Sequence, residues 1–380
     1  MSNYNEIIDF VKNQFQSKDF IPLHEPNFSG NERKYVLDTI DLTFVSSVGA
    51  YVDKFELMLA ELSKTKKAVA VVNGTSGLQV ALRLSGVGLG DEVLTQALTF
   101  IATINAIIYN GASPVFIDVD IDTMGLSPNA VENFLEQFGE LRNGICFNKK
   151  TNKKIAACMP MHTFGFPVHL DELIKVCNKW NIPIVEDAAE SIGSEYKGMP
   201  TGSFGKLGVF SFNGNKIVTS GGGGAIVTNN IELGIKAKHL TTTAKVPHPY
   251  EYVHDEIGYN FRMPNLNAAL ACAQLEQLDS FIKNKRSLAL EYNTFFKTKG
   301  INFRTELPNT KANYWLMCLQ LENKIERDLF LKETNENKVM TRPIWQLIFK
   351  SSKYSSFQRD AQVNAIYLEE RIVNIPSSVR

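Results

Sequence analysis

From about residue 66 onward, apolar blocks alternate with polar, turn-rich ones. AVAVV (68–72) is a continuous apolar run, followed by NGTS and a helical stretch around Leu78 to Leu84. DEVLTQ predicts the next strand, FIATINAII a helix and SPVFIDVD a strand. The alternation continues with a helix over 129–139, a strand in IAACMPMH, a helix from Leu170 to Trp180 and a strand in IPIVEDAA. Shorter strands follow in LGVFSFN and GGAIVTN. Short apolar strands separated by helices predict a mostly parallel sheet covered on both faces.

After GYNFRMP the character changes. Leu266, Ala269, Leu270, Ala273, Leu275, Leu278 and Ile282 recur at helical spacing and predict one long helix leading into a C-terminal region, where NYWLMCLQL reads as a strand. At the other end, Ile7, Ile8, Val11 and Phe15 suit one face of a short helix. The pattern predicts an N-terminal arm with a large α/β domain over residues 1–250, then a small α+β domain over 251–380.

Composition narrows the function classes. With 380 residues the chain can bury a full core without a disulfide or metal staple. Lys+Arg and Asp+Glu are both 40, so no basic excess argues for nucleic acid or anionic lipid. The five cysteines are scattered and never spaced C-x-x-C, which suggests neither a disulfide framework nor a zinc site. Glu6, Asp9 and Lys12 interrupt any N-terminal apolar run, so no signal peptide is read and the cytoplasm is the default location. The chain is uncharged from Val93 to Ile117, but Gln96, Asn105 and the turn NGASP divide that stretch. Strand, helix and strand account for it better than a membrane span.

In doubly wound sheets, ligands bind beyond the carboxyl ends of the strands, and each polar cluster of interest follows a predicted strand. NGTSG (73–77) offers Gly74 for an unusual backbone angle and the hydroxyls of Thr75 and Ser76 at a helix start. Free amides and the helix dipole favour a phosphate there, although an ordinary N-cap uses the same residues. In EDAAES (186–191), two acids end a buried strand, where desolvation is expensive unless they are paired. Asp187 could hold a pyridinium nitrogen protonated, or cap a helix; no cluster of His, Cys and Asp supports a metal. In FSFNGNKIVTSGGGG (210–224), Lys216 stands in a glycine-rich, otherwise apolar turn. Burial favours a partly neutral lysine amine, which is what Schiff-base chemistry needs. Phe100 follows the strand DEVLTQ and could stack on a flat ring or sit in the core. The six histidines read as structural or surface residues before catalytic ones; His162, just past a strand, is the one of interest.

In this order, NGTSGLQVAL, LTFIATINAI, MHTFGFPVHL, VEDAAESIGSEYKG, FSFNGNKIVTSGGGGAIVT and GYNFRMPNLNAALACAQLEQL resemble the DegT/DnrJ/EryC1/StrS sugar aminotransferases. That resemblance implies the fold-type I architecture of pyridoxal 5'-phosphate (PLP) enzymes. It implies Lys216 as the Schiff-base lysine, Asp187 as partner of the pyridine nitrogen and Phe100 as the stacking ring. Thr75, Ser76 and Ser211 then resemble phosphate ligands, with Gly74 beside them, and Glu190 stands near the ring hydroxyl where the family often has Gln or His. Asn260 resembles a residue that reaches the phosphate of a neighbouring subunit, which implies a homodimer with shared sites. Where many relatives have GEGG, this chain has GGGG (221–224).

Within the family, EPNFSGNERKYV, FVSSVGAYVDKFE and TTTAKVPHPYEYVHDEIGYNFRMPNLNAAL resemble aminotransferases of the legionaminic acid and bacillosamine pathways. That implies a UDP-linked 4-keto-6-deoxy-N-acetylhexosamine aminated at C4, with L-glutamate as donor and pyridoxamine 5'-phosphate between the half-reactions. Lys245, His248 and Arg262 would then meet the nucleotide diphosphate. Three rivals share the fold: a sugar 3-dehydratase, which would replace the Schiff-base lysine; an aminotransferase for another position or nucleotide sugar; and a non-catalytic regulator.

Overall fold

The computed structural model describes residues 4–17 and 19–380. Its central sheet is built from β1 (Lys67–Val71), β2 (Glu92–Gln96), β3 (Ser113–Ile117), β4 (Lys153–Met159), β5 (Val185–Asp187), β6 (Leu207–Ser211) and β7 (Gly224–Thr228). Hydrogen bonding orders these as β1-β7-β6-β5 and β4-β2-β3. Parallel bridges Cys158↔Ile184 and Met161↔Asp187 join the two halves between β4 and β5. Among these seven strands only β7 runs antiparallel to its neighbours, pairing with both β1 and β6, while the hairpin Gly139–Arg142/Ile145–Asn148 adds antiparallel to β4. The uncharged stretch resolves into β2, the helix Ile101–Tyr109 and β3. No described helix is long and apolar enough to cross a membrane.

Consecutive strand residues point to opposite faces, and here both faces are apolar. Leu94, Val115, Ile117 and Cys158 pack with Val131, Leu135, Leu173 and Val176 of the helices Pro128–Phe138 and Leu170–Lys179. Val93, Phe116, Ala157 and Met159 face the other way, into a cluster with Leu78, Val80 and Ile104. This explains why the strands read as unbroken apolar runs.

The long helix expected after residue 266 is two, Asn265–Leu275 and Leu278–Thr298. Apolar spacing runs through the break, but the two polar residues at it are drawn elsewhere. Glu276 accepts from Asn31, Tyr35 and Lys54, and Gln277 donates to Glu32. The second helix packs on an antiparallel sheet ordered Asn302–Phe303, Met317–Gln320, Ile372–Ile375, Arg342–Pro343. The N-terminal helix Asn5–Gln14 docks on this C-terminal region: Phe10 stacks on Phe295 at 3.8 Å and Tyr4 meets Phe330 edge-on at 5.0 Å.

Candidate active site

Strand alternation separates the two acids that end β5. Glu186 turns into the interior, accepting the Gly202, Phe204 and Gly205 amides at 2.8, 2.7 and 2.7 Å. Its carboxylate also lies 3.1 Å from His162 Nε2. Because Val168 N–H donates to His162 Nδ1 at 3.3 Å, Nε2 is the protonated nitrogen that faces Glu186. His162 is therefore the structural partner of a structural acid. Asp187 points the other way, where Thr103 Oγ1 donates to it at 2.7 Å and Ala189 N–H at 3.2 Å. Burial raises the Asp187 carboxyl above its ordinary range, opposed by those two hydrogen bonds and by the Lys216 charge.

Lys216 lies in the turn between β6 and β7. Its Nζ is 3.3 Å from Glu190 Oε1 and 3.6 Å above the centre of the Trp315 ring. The lysine side chain is 12% exposed and that of Glu190 only 2%. Phe164 N–H holds the other Glu190 oxygen at 2.9 Å. Burial raises the Glu190 carboxyl; the Lys216 charge opposes this and the Asp187 charge adds to it.

At the end of β1 the chain turns into the helix Gly74–Leu84. The cap is Asn73, whose Oδ1 accepts Ser76 N–H at 2.8 Å. Capping by Asn73 leaves the Thr75 and Ser76 hydroxyls free of that duty. Among the described residues, the Gly74 and Thr75 amides and the Thr75, Ser76 and Ser211 hydroxyls make no hydrogen bond within the chain. Ser211, at the end of β6, faces this turn: a Cβ on Gly74 would lie 3.3 Å from its Oγ. A Cβ on Gly224 would come within 2.5 Å of the Asn73 carbonyl carbon, so one glycine of the GGGG run is required by close backbone approach. Phe100 is 52% exposed at the start of the helix whose Thr103 holds Asp187.

A third group lies beside β1. Val71 bridges to Arg262, and Arg262 Nε donates to Asn260 Oδ1 at 3.1 Å. Lys245, His248 and Arg262 line one cavity of about 730 Å³, together with Ser47, Gly49 and Lys238. Asp120, Asp122 and His169 also bring ligand-type atoms within 4.8 Å of one another, with His169 Nε2 3.0 Å from Asp122.

Sequence reasoning missed what the C-terminal region adds. Trp315 Nε1 donates to the Asn215 carbonyl at 2.7 Å, and Asn313 Nδ2 donates to the Glu190 and Ile192 carbonyls, both at 2.9 Å. Apolar patterning had placed NYWLMCLQL on a strand, which held for Met317–Gln320, but said nothing of where the preceding indole points. His24 was also unread. Its ring nitrogens are buried, and burial lowers its pKa well below the usual range, with the Lys285 and Lys216 charges adding to this and the Asn215 backbone opposing it.

Three comparisons bear on this arrangement. Residues 26–380 match the DegT/DnrJ/EryC1/StrS aminotransferase family. The chain is similar to EpsN of Bacillus subtilis, named as a pyridoxal phosphate-dependent aminotransferase, at 38% identity over 86% of this chain and 81% of that one. It is similar to the GDP-perosamine synthase of Escherichia coli O157:H7 at 35% identity over 94% and 93% of the two chains. Among solved structures, the aminotransferase TlmJ of Streptoalloteichus hindustanus superposes with a TM-score of 0.85 at 25% identity, covering 94% and 93%. Fold and relatives define a PLP-dependent enzyme of fold type I. The chain belongs to the DegT/DnrJ/EryC1/StrS aminotransferase family and is a sugar aminotransferase.

The residues at the candidate site fit that cofactor. Unpaired amides and hydroxyls at a helix N-terminus suit a phosphate. A buried carboxylate, an amine and a half-exposed aromatic ring suit a flat cationic heterocycle. One side of the site is made of backbone and hydroxyls, the other of charged side chains.

Proposed function

We propose that this enzyme moves the amino group of L-glutamate to C4 of a UDP-linked 4-keto-6-deoxy-N-acetylhexosamine, for surface glycans of the legionaminic acid or bacillosamine type. The observation that carries the catalytic part is the Lys216 amine, in the turn between β6 and β7, 3.3 Å from the buried Glu190 carboxylate and next to the strand β5 that ends in Asp187. When bound, PLP supplies the aldehyde that accepts the amino group and the ring that delocalises the electron pair at the reacting carbon. Lys216 Nζ would bond to that aldehyde at rest. Once displaced, it would carry the proton between the donor's Cα and the cofactor, then back to the sugar carbon, acting as general base and general acid in turn.

Asp187 would hold the ring nitrogen protonated, and Phe100 would cover one face of the ring. Thr75, Ser76 and Ser211, with the Gly74 and Thr75 amides, would hold the phosphate, and Glu190 would stand near the ring hydroxyl. Lys245, His248 and Arg262 would bind the sugar nucleotide's diphosphate; their shared cavity supports this role. Asn260 is exposed and would reach the phosphate of a partner subunit, making each site the property of two chains.

A second reading has specific support. The 35% identity to GDP-perosamine synthase over nearly the whole chain favours a GDP-linked keto-sugar as acceptor. A panel of UDP-, GDP- and dTDP-linked keto-sugars with glutamate as donor, the new amine located by NMR, separates the two. Turnover of the UDP-linked substrate at C4 is expected. Turnover of the GDP-linked sugar alone moves the assignment to the second reading, and failure with every keto-sugar nucleotide overturns both.

A further inference from the structure

We propose that Trp315 is a positioning residue: its indole face and the Glu190 carboxylate form a built resting place for the Lys216 amine whenever that amine is not bonded to the cofactor. This rests on the reading of Lys216 as the reactive lysine. During each half-reaction that amine is set free on a flexible four-carbon stem. It then needs a position from which it can return, rather than one in bulk water. The structure contains such a position: Nζ lies 3.6 Å above the indole centre and 3.3 Å from Glu190 Oε1.

Neither wall of this resting place depends on the lysine for its own position. The indole is anchored by its Nε1–H on the Asn215 carbonyl at 2.7 Å, and its backbone N–H donates to Asn313 Oδ1 at 2.8 Å. The Glu190 carboxylate is held by Phe164 N–H, and its carbonyl by Asn313 Nδ2. Asn313 thus ties both walls together through one amide. The loop that approaches it is correspondingly constrained: Gly165 has φ +95°, and a Cβ there would fall 1.9 Å from Asn313 Oδ1. Surface cation–π contacts form by chance packing of mobile side chains, whereas here the ring is 5% exposed and fixed at both ends.

A desolvated ammonium over an indole is favoured by about 1–2 kcal/mol, so removing the face should free the amine roughly tenfold. The test uses holoenzyme treated with glutamate, in which the lysine amine is released. Competitive acylation followed by mass spectrometry compares Lys216 with the exposed Lys206 in wild type, Trp315→Leu and Trp315→Phe. Trp315→Leu is expected to raise relative labelling of Lys216 about tenfold and to lower the single-turnover rate by a similar factor, with the affinity for glutamate unchanged. Trp315→Phe retains an aromatic face and should stay within about threefold of wild type on both measures.

If Trp315→Leu leaves labelling and rate within about twofold, the proposal is wrong. If Trp315→Phe behaves like Trp315→Leu, the Asn215 hydrogen bond rather than the ring face is responsible, and the proposal is equally overturned. Should Trp315→Leu not fold, Trp315→Phe and Glu190→Gln carry the test, the latter expected to raise Lys216 labelling by removing the second wall. Borohydride fixation of the cofactor in wild type is the separate control: attachment anywhere other than Lys216 refutes the underlying reading and leaves the labelling result aside.

Discussion

Two lysines are largely withdrawn from water in different regions of the molecule, and they have been given opposite surroundings. Lys216, in the turn between β6 and β7 of the large sheet, faces a carboxylate and an indole. Lys285, on the helix Leu278–Thr298, is completely buried and donates to the Ser377 carbonyl, with no acid in ion-pair range among the described residues. Burial alone lowers the Lys285 amine to about 7. A buried amine without a counter-charge tends to shed its proton and serve as a neutral donor. An amine supplied with an acid and an aromatic face is instead equipped to exchange partners. Burial alone does not distinguish the two lysines; what faces each amine does, and the role proposed for Lys216 rests on that.

The largest expected effect separates the two directly. Lys216→Ala should lower transamination at least about a thousandfold and abolish borohydride attachment of the cofactor, because the Schiff-base and proton-transfer roles proposed for it would be lost together. Lys285→Met should leave turnover within about threefold, since a single volume-matched change in the core seldom disturbs a distant site. Equal losses in both variants would remove the contrast.

Next in size is Asp187→Asn, expected to lower turnover on the order of a hundredfold by withdrawing charge from the ring-nitrogen end of the site. The same change should not destabilise the protein without cofactor. Burial raises the Asp187 carboxyl in the folded state, so between the ordinary carboxylate range and the raised value the folded chain binds more protons than the unfolded one. Stability then falls as pH rises through that window, and the asparagine variant should lack that part of the fall. Urea unfolding of the two apoproteins across acid to neutral pH measures it.

Lys285 gives the reverse slope. Its folded amine releases a proton near 7, while in the unfolded chain it holds that proton to about 10.4, so the unfolded state binds more protons across this range. Stability from this group rises with pH there. Lys285→Met should flatten that rise and stabilise the protein by about 1–3 kcal/mol at neutral pH, read by urea unfolding. The smallest effect belongs to the phosphate end. Ser211→Ala removes one of several donors and should weaken cofactor binding about fivefold without altering turnover at saturation, measured by titrating apoenzyme with PLP. A large effect on turnover would mean that the two ends of the site are not separable.

Much of the fold was legible because its strands are apolar on both faces and its turns carry their own chemistry. β1 through β7 fall where the runs AVAVV to GGAIVT predicted them. The split at Glu276 and Gln277 was not legible, since the apolar spacing passes through it and only the contacts of those two side chains with residues 31–54 reveal it. His162 shows the same limit at the site. Its place after a strand left structure and chemistry both open, the structural reading ahead, and its bonds to Glu186 and Val168 decide for structure. Lys285 sits among polar neighbours in IKNKRS, a setting that carries no sign of burial, yet helix packing buries it.

The chain by itself determined the succession of strands and helices, the glycine-bearing turn before Thr75, and the placing of Asp187 and Lys216 just where strands end. These are local matters, governed by backbone preference, side-chain alternation and helix capping over a few residues. Tertiary structure alone decided that β7 inserts antiparallel between β1 and β6, that Glu186 and Asp187 serve different masters, and that Trp315 of the C-terminal region comes to rest on Lys216. Such meetings depend on which distant surfaces pack together, and no periodicity within a short window encodes that.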